Sequence, residues 1–221
     1  MVFPIIGAAV SAIGATLASI GPAAASFATT VLPRLLPYIG KGLEVIQAIG
    51  QVAQLVAQVL GIFKPGEKID EMGARAMQAA EQGITPDRFD THDDYMNELR
   101  NFELDPSKKA DPIAKIIAGL AVASHGLDEK LGAPEGTAGQ LWPLVAADGG
   151  YFTAERLIQY VQTGQNLADI VDYFTGKLGG AESLEVEDKL VKLDQKTHPE
   201  IDENSLREAL YKHQEQVQSQ P

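Results

Sequence analysis

The stretch LEVIQAIGQVAQLVAQVLGIF, residues 43–63, constrains the fold most, because it is apolar around almost its whole circumference. Its polar side chains recur every three or four residues, which places them in one narrow stripe on an α-helix. The stripe consists of Glu44, Gln47, Gln51, Gln54 and Gln58. At about 1.5 Å per residue the helix would be roughly 31 Å long, close to the hydrocarbon thickness of a bilayer. We predict a helix surrounded by lipid, by other helices or by copies of itself, with the stripe facing a lumen or a polar seam.

The first 33 residues contain no ionisable side chain. Gly7, Gly14 and Gly21 recur every seven residues, with Ala and Ser between them. On a helix these glycines form a ridge of small residues that lets another backbone approach closely, as in packed transmembrane helices. The same ridge would serve a tightly packed helix pair in an assembly interface. We therefore assign the three glycines to helix packing and leave the surroundings open.

The length of this apolar start leaves its topology open. The apolar run before Pro22 is at the short end for spanning a bilayer. A helical hairpin of residues 5–21 and 23–36 therefore fits as well as a single membrane span. Pro33 and Pro37 lie close together after it, and proline breaks helices, so we predict a corner there. Tyr38 follows and would suit either a membrane–water interface or a polar loop.

Charge divides the chain into two parts. Residues 1–63 carry only Arg34, Lys41 and Glu44, a net charge of +1, whereas the remaining 16 basic and 29 acidic residues give −13. We predict an apolar region that inserts into a membrane or self-assembles at residues 1–63, and an acidic soluble α-helical domain at 64–221. The acidity argues against nucleic-acid binding, which needs clustered Lys and Arg.

Local signals in the acidic part predict helices throughout. Thr91, Asp111 and Thr153 are suitable N-cap residues ahead of segments with helical periodicity. We expect the helix that follows Asp111 to end at Gly126, and the polar C-terminus to fray. No alternating β pattern is present. The predicted fold is all-α, with an apolar helical hairpin and a long helix followed by an acidic multi-helix bundle.

The sequence offers little chemistry. Cysteine is absent, and no histidine has a partner at the spacing of a helical metal site. The four histidines are His92, His125, His198 and His213. No nucleophile elbow or phosphate-binding loop is present. We expect no catalytic, cofactor-binding or metal-binding residues, and no enzymatic activity.

This organisation favours a non-enzymatic protein that penetrates a membrane or forms a channel. Delivered pore-formers and virion proteins that build channels during genome ejection share such a layout, although no motif connects this sequence to a family. The expected partners are a lipid bilayer, copies of the chain or a larger protein assembly, at a membrane or in a secreted or virion particle. The alternative is a soluble structural subunit whose apolar N-terminal helices are buried in a homo-oligomeric or multi-protein assembly.

Overall fold

The computed structural model describes the backbone of residues 3–220 and the side chains of residues 11–220. All regular structure within that part is helical, which confirms the all-α prediction. The helices are α1 (Phe3–Ile20), α2 (Pro22–Thr30), α3 (Leu32–Ile39), α4 (Leu43–Val59), α5 (Ile69–Ala80), α6 (His92–Asn101), α7 (Pro112–Leu131), α8 (Leu141–Ala147), α9 (Ala154–Gln162), α10 (Leu167–Phe174), α11 (Gly180–Thr197) and α12 (Glu203–Gln218). Short 3-10 helices span Pro86–Arg88 and Ala138–Gln140.

Helix α7 is the centre of the core. Its residues 116–124 are buried on every side, and it contacts α1, α2, α4, α5 and α6. A helix that is apolar all round must be enclosed by other helices, which is the position α7 occupies. The one polar side chain in this stretch, Ser124, accepts a hydrogen bond from Trp142 Nε1 at 2.8 Å and donates to the Leu120 carbonyl at 2.7 Å. Its polar group is therefore satisfied inside the core.

The apolar N-terminal third packs against the rest of the chain. Helices α1 and α2 contact each other, but α2 ends at Thr30 and α3 begins at Leu32, so residues 23–36 are not the single second helix of the predicted hairpin. Helix α4 lies against α7, α8 and α9. One hydrophobic cluster runs from Ile13 to Leu210 without interruption at the charge boundary near residue 63. The division into two domains stays a prediction.

The predicted corner at Pro33 and Pro37 is wrong, because both prolines lie inside α3. Pro33 occupies the first turn, where the missing backbone N–H has no partner to lose. Pro37 has no backbone N–H, so the hydrogen bond to the carbonyl four residues earlier is missing. The short helix still forms because one of its sides is buried in the core. Leu35 and Tyr38 form that side and are fully or almost fully enclosed, so Tyr38 is a core residue rather than part of a loop.

Two helix ends differ from the predictions. Helix α4 ends at Val59, because Gly61 adopts a positive φ of 78° and turns the chain back. Ile62 and Phe63 then donate their backbone N–H groups to the Ala57 carbonyl at 2.8 and 3.0 Å and enter the core. Helix α7 continues past Gly126 to Leu131, and Gly132 provides its left-handed cap.

The closest helix contact in the described part of the chain is between α5 and α7, and it depends on two glycines. A Cβ atom on Gly73 would lie 1.9 Å from the Lys115 carbonyl oxygen. A Cβ atom on Gly119 would lie 2.0 Å from the Ile69 carbonyl oxygen. Both neighbours are backbone atoms, which no rotamer change can move away. The two helices touch backbone to backbone because neither glycine has a side chain.

Candidate interaction surface

Helix α4 turns one side to the core and the other to solvent. Its inward residues are Ile46, Ile49, Gly50, Ala53, Val56 and Ala57. Its exposed residues between Gln47 and Val59 form what we call the outer face of α4: Gln47, Ala48, Gln51, Leu55 and Val59. This face carries no charge, although the surfaces beyond residue 63 are strongly acidic.

The polar stripe predicted for a lumen or seam divides into two parts. Glu44, Gln47 and Gln51 are exposed to solvent. Gln54 Oε1 accepts a hydrogen bond from the backbone N–H of Ile69 at 3.0 Å, and Gln58 Nε2 donates to the Glu67 carbonyl at 2.9 Å.

Gln54 and Gln58 therefore fasten the segment between α4 and α5. Lys68, at the N-cap of α5, makes no side-chain capping bond, so Gln54 satisfies an amide that would otherwise lack a partner. The role of the stripe in a lumen stays a prediction.

Two large apolar side chains stand out on the outer face of α4. Leu55 is 48% exposed and Val59 is 57% exposed, and they lie one helical turn apart. Nearer the start of the same helix, a groove of about 490 Å³ runs between α4 and α8. It is lined mostly by apolar residues, among them Val45, Val52 and Val145, and Glu44 is its one charged lining residue. One helix thus presents both an apolar protrusion and an apolar recess.

The predicted packing glycines occupy different settings. A Cβ atom on Gly14 would meet Leu32 Cδ2 at 4.0 Å, an ordinary contact. Gly21 has a φ of 135° at the N-cap of α2, where it makes the turn from α1 and approaches Asp87. The surroundings of Gly7 lie outside the described residues. A function of these glycines in assembly stays a prediction.

A pair of histidines, one buried and one partly buried, lies between the start of α6 and α7. The His92 ring is 3% exposed, its two nitrogens have no hydrogen-bond partner, and its centroid is 5.2 Å from that of His125 on α7. Burial, together with the nearby His125 and Arg100, lowers the pKa of His92 to about 3. Burial also lowers the pKa of His125. Both rings are thus neutral at pH 7.

Local structure explains why His92 is held there. The Thr91 hydroxyl caps α6, and the Glu129 carboxylate accepts the backbone N–H of His92 at 2.9 Å. The ring fits against Gly126, where a Cβ atom would lie 2.5 Å from His92 Nε2 and 2.6 Å from Ile62 Cγ2. The histidine therefore packs beside the segment that leads out of α4.

A second polar cluster joins the C-terminal helices. His213 Nδ1 lies 2.6 Å from Asp148 Oδ2, and its ring stacks on Tyr151 with centroids 4.1 Å apart. The Arg156 guanidinium also lies over the Tyr151 ring, 4.0 Å from the ring centroid. It donates a hydrogen bond to Asp194 Oδ1 at 2.5 Å. In the described hydrogen bonds His213 contacts Asp148 and no hydroxyl nucleophile. The cluster fastens α12 to α9 and α11, and no local sequence pattern predicts it.

Comparisons with family models, curated proteins and solved structures return no match for this chain. Among residues 11–220, whose side chains the structure describes, no helix is long and apolar enough to span a bilayer. No group of three His, Asp or Glu side chains in that part of the chain is arranged to hold a metal ion.

Proposed function

We propose that this protein is a non-enzymatic structural subunit that associates with a second copy of itself through the outer face of α4. The observation that carries the proposal is the exposed pair Leu55 and Val59 together with a mostly apolar groove on the same helix. In a two-fold symmetric dimer the same surface serves both partners, so a protrusion and a recess on one helix complement each other. Leu55 and Val59 of one copy would enter the groove of the other.

Charge supports the choice of a second copy. Residues 64–221 carry a net charge of −13, so copies repel each other when those surfaces meet. The outer face of α4 carries no charge, and no charged residue occurs between Glu44 and Lys64. The repulsion is therefore weakest where the apolar protrusion lies.

Sedimentation equilibrium of Val59→Glu and Leu184→Glu tests this proposal. Val59 and Leu184 are equally exposed at 57%, but Leu184 lies on α11, away from the outer face of α4. We expect Val59→Glu to weaken self-association by about tenfold or more, because a charge is then enclosed between two apolar surfaces. Leu184→Glu should associate like the wild type. A wild-type chain that stays monomeric at every concentration, or equal effects of the two variants, would contradict the proposal.

A second candidate function is membrane insertion triggered by acid, and the His92–His125 pair favours it. The His92 ring is buried, the His125 ring is partly buried, and both are neutral at pH 7. The His92 ring packs beside Ile62, which follows α4. Protonation would loosen this contact and free the almost uncharged helices before it. Flotation of the full-length chain with liposomes at pH 7 and pH 5 tests this candidate. Binding at pH 5 alone supports it, and the same binding at both pH values argues against it.

A further inference from the structure

A cavity of about 850 Å³ opens between α1, α5, the segment after α6 and the first turn of α7. Its apolar walls include the buried Ile13 and Ile39 and the partly buried Met77, Leu104 and Ile113. This volume lies within the range of pockets that bind small organic molecules, and such pockets are mostly apolar with a few polar groups. The cavity lies apart from the outer face of α4 and from the histidine pair.

The wall that closes the cavity is fixed in place. Gln78 on α5 exchanges two hydrogen bonds with the backbone of Asp105: its Oε1 accepts from the amide at 2.8 Å, and its Nε2 donates to the carbonyl at 3.3 Å. Lys108 forms an ion pair with Glu81 on the same side. The segment after α6 is thus attached to α5 at two points, and the cavity is formed before any ligand enters.

The acidic side chains at the rim are already engaged. Glu81 is paired with Lys108, and the Asp105 carboxylate accepts from the amide and hydroxyl of Ser107 at 2.9 and 2.6 Å. Asp111 caps α7 by accepting from the amides of Ile113 and Ala114 at 2.8 and 3.2 Å. Asp105 and Asp111 keep their negative charge in these bonds, because their donors are neutral, but each is held by the backbone of its own segment.

Two basic side chains have no direct partner among the described residues. Lys109 and Lys115 line the cavity, and neither forms an ion pair or hydrogen bond with its side chain in the described part of the chain. The rim therefore offers two free ammonium groups above an apolar floor. An ammonium group binds a carboxylate through charge-assisted hydrogen bonds, which are about twice as strong as neutral ones.

We propose that this cavity binds an amphipathic carboxylate of the fatty-acid type. The hydrocarbon tail would lie against Ile13, Ile39 and Met77, and the carboxylate would bind beside Lys109 and Lys115. Burial of the apolar tail supplies most of the affinity. The two lysines select an anionic head over a neutral or cationic one. This proposal does not depend on the self-association of the chain.

Calorimetric titration of the full-length chain with dodecanoate, below its micelle concentration, tests the site. We expect saturable binding of dodecanoate, much weaker binding of dodecanol and no binding of dodecyltrimethylammonium, which has the same tail and the opposite charge. The double variant Lys109→Gln/Lys115→Gln should weaken dodecanoate binding by about tenfold or more. Lys212→Gln, which removes an exposed lysine of α12 outside the cavity, should bind like the wild type.

A variant that fills the cavity separates this site from binding elsewhere on the chain. Ala12 is exposed and lines the cavity from α1, so Ala12→Trp should reduce dodecanoate binding without disturbing the core. Circular dichroism confirms that each variant is folded. Absence of dodecanoate binding, equal binding of the three ligands, or unchanged affinity in the double lysine variant would each overturn the proposal.

Discussion

Replacing Gly73 or Gly119 with alanine should destabilise the fold by about 3 kcal/mol or more, the upper end for overpacked cores. Each new methyl group would overlap a backbone oxygen of the facing helix, at 1.9 Å for Gly73 and 2.0 Å for Gly119. Helices α5 and α7 would have to move apart, and α7 also contacts α1, α2, α4 and α6. The loss should therefore spread through the core. Urea unfolding monitored by circular dichroism measures it.

Gly14→Ala is the matched control for this prediction. It is also a glycine inside a helix, but its Cβ atom would lie 4.0 Å from Leu32 Cδ2 in an ordinary contact. Alanine is the better helix former, so this variant should gain up to about 1 kcal/mol. If Gly73→Ala and Gly14→Ala changed the free energy of unfolding by the same amount, the close contact between α5 and α7 would be disproved.

Acid should destabilise the protein through His92. The folded chain holds the pKa of His92 at about 3, below the ordinary 6.5, so it resists a proton that the unfolded chain accepts. Stability from this group is complete above pH 6.5 and is lost as the pH falls from 6.5 towards 3. Between pH 6.5 and pH 5 the loss amounts to about 2 kcal/mol. The pKa of His125 is also lowered, so this histidine likewise destabilises the folded chain as the pH falls.

Asp128 changes the stability in the opposite direction as the pH falls, so the variant His92→Leu must be compared with the wild type at each pH. Burial raises the pKa of Asp128 to about 6, and its protonation stabilises the folded chain as the pH falls below that value. His92→Leu removes only the histidine contribution. The difference in unfolding free energy between this variant and the wild type should change by about 2 kcal/mol between pH 7 and pH 5.

Asn97→Ala serves as the control, because Asn97 is exposed on the same helix as His92 and has no titratable group. Its difference from the wild type should stay constant over the same pH range. A constant difference for His92→Leu as well would show that the His92 ring is not held neutral by burial. The acid-dependent flotation proposed above should move to lower pH in His92→Leu if the two effects share this ring.

The sequence predicted the local features of the fold well. Thr91, Asp111 and Thr153 cap α6, α7 and α9 through their side-chain oxygens, as their positions before periodic segments indicated. Capping depends on residues within one turn, so a single sequence contains the information. The inward side of α4 likewise follows from its periodicity.

The errors arose where distant contacts outweigh local preference. The C-terminus was expected to fray, but Gln214, Gln216 and Gln218 donate to the carbonyls of Tyr173, Ala147 and Phe174. Those acceptors lie more than 40 residues away in the chain. Local sequence patterns do not predict hydrogen bonds to such distant residues.

The candidate sites show the same limit. The amide stripe was identified from its spacing, yet its division into exposed and hydrogen-bonded residues depends on where the segment before α5 returns. The histidine pair brings together one residue of α6 and one of α7. A search for two histidines three or four residues apart on one helix cannot find such a pair. The lysine-rimmed cavity needs four separate segments to form.

Single cysteines on the outer face of α4 test the central claim most directly. The chain contains no cysteine, so Leu55→Cys or Leu184→Cys introduces one unique thiol at a site of comparable exposure, 48% and 57%. Oxidation by copper phenanthroline, at a concentration where the chain self-associates, should join Leu55→Cys into disulfide-linked dimers and leave Leu184→Cys largely monomeric on a non-reducing gel. Equal cross-linking of the two variants, or cross-linking through Leu184→Cys alone, would contradict association through the outer face of α4.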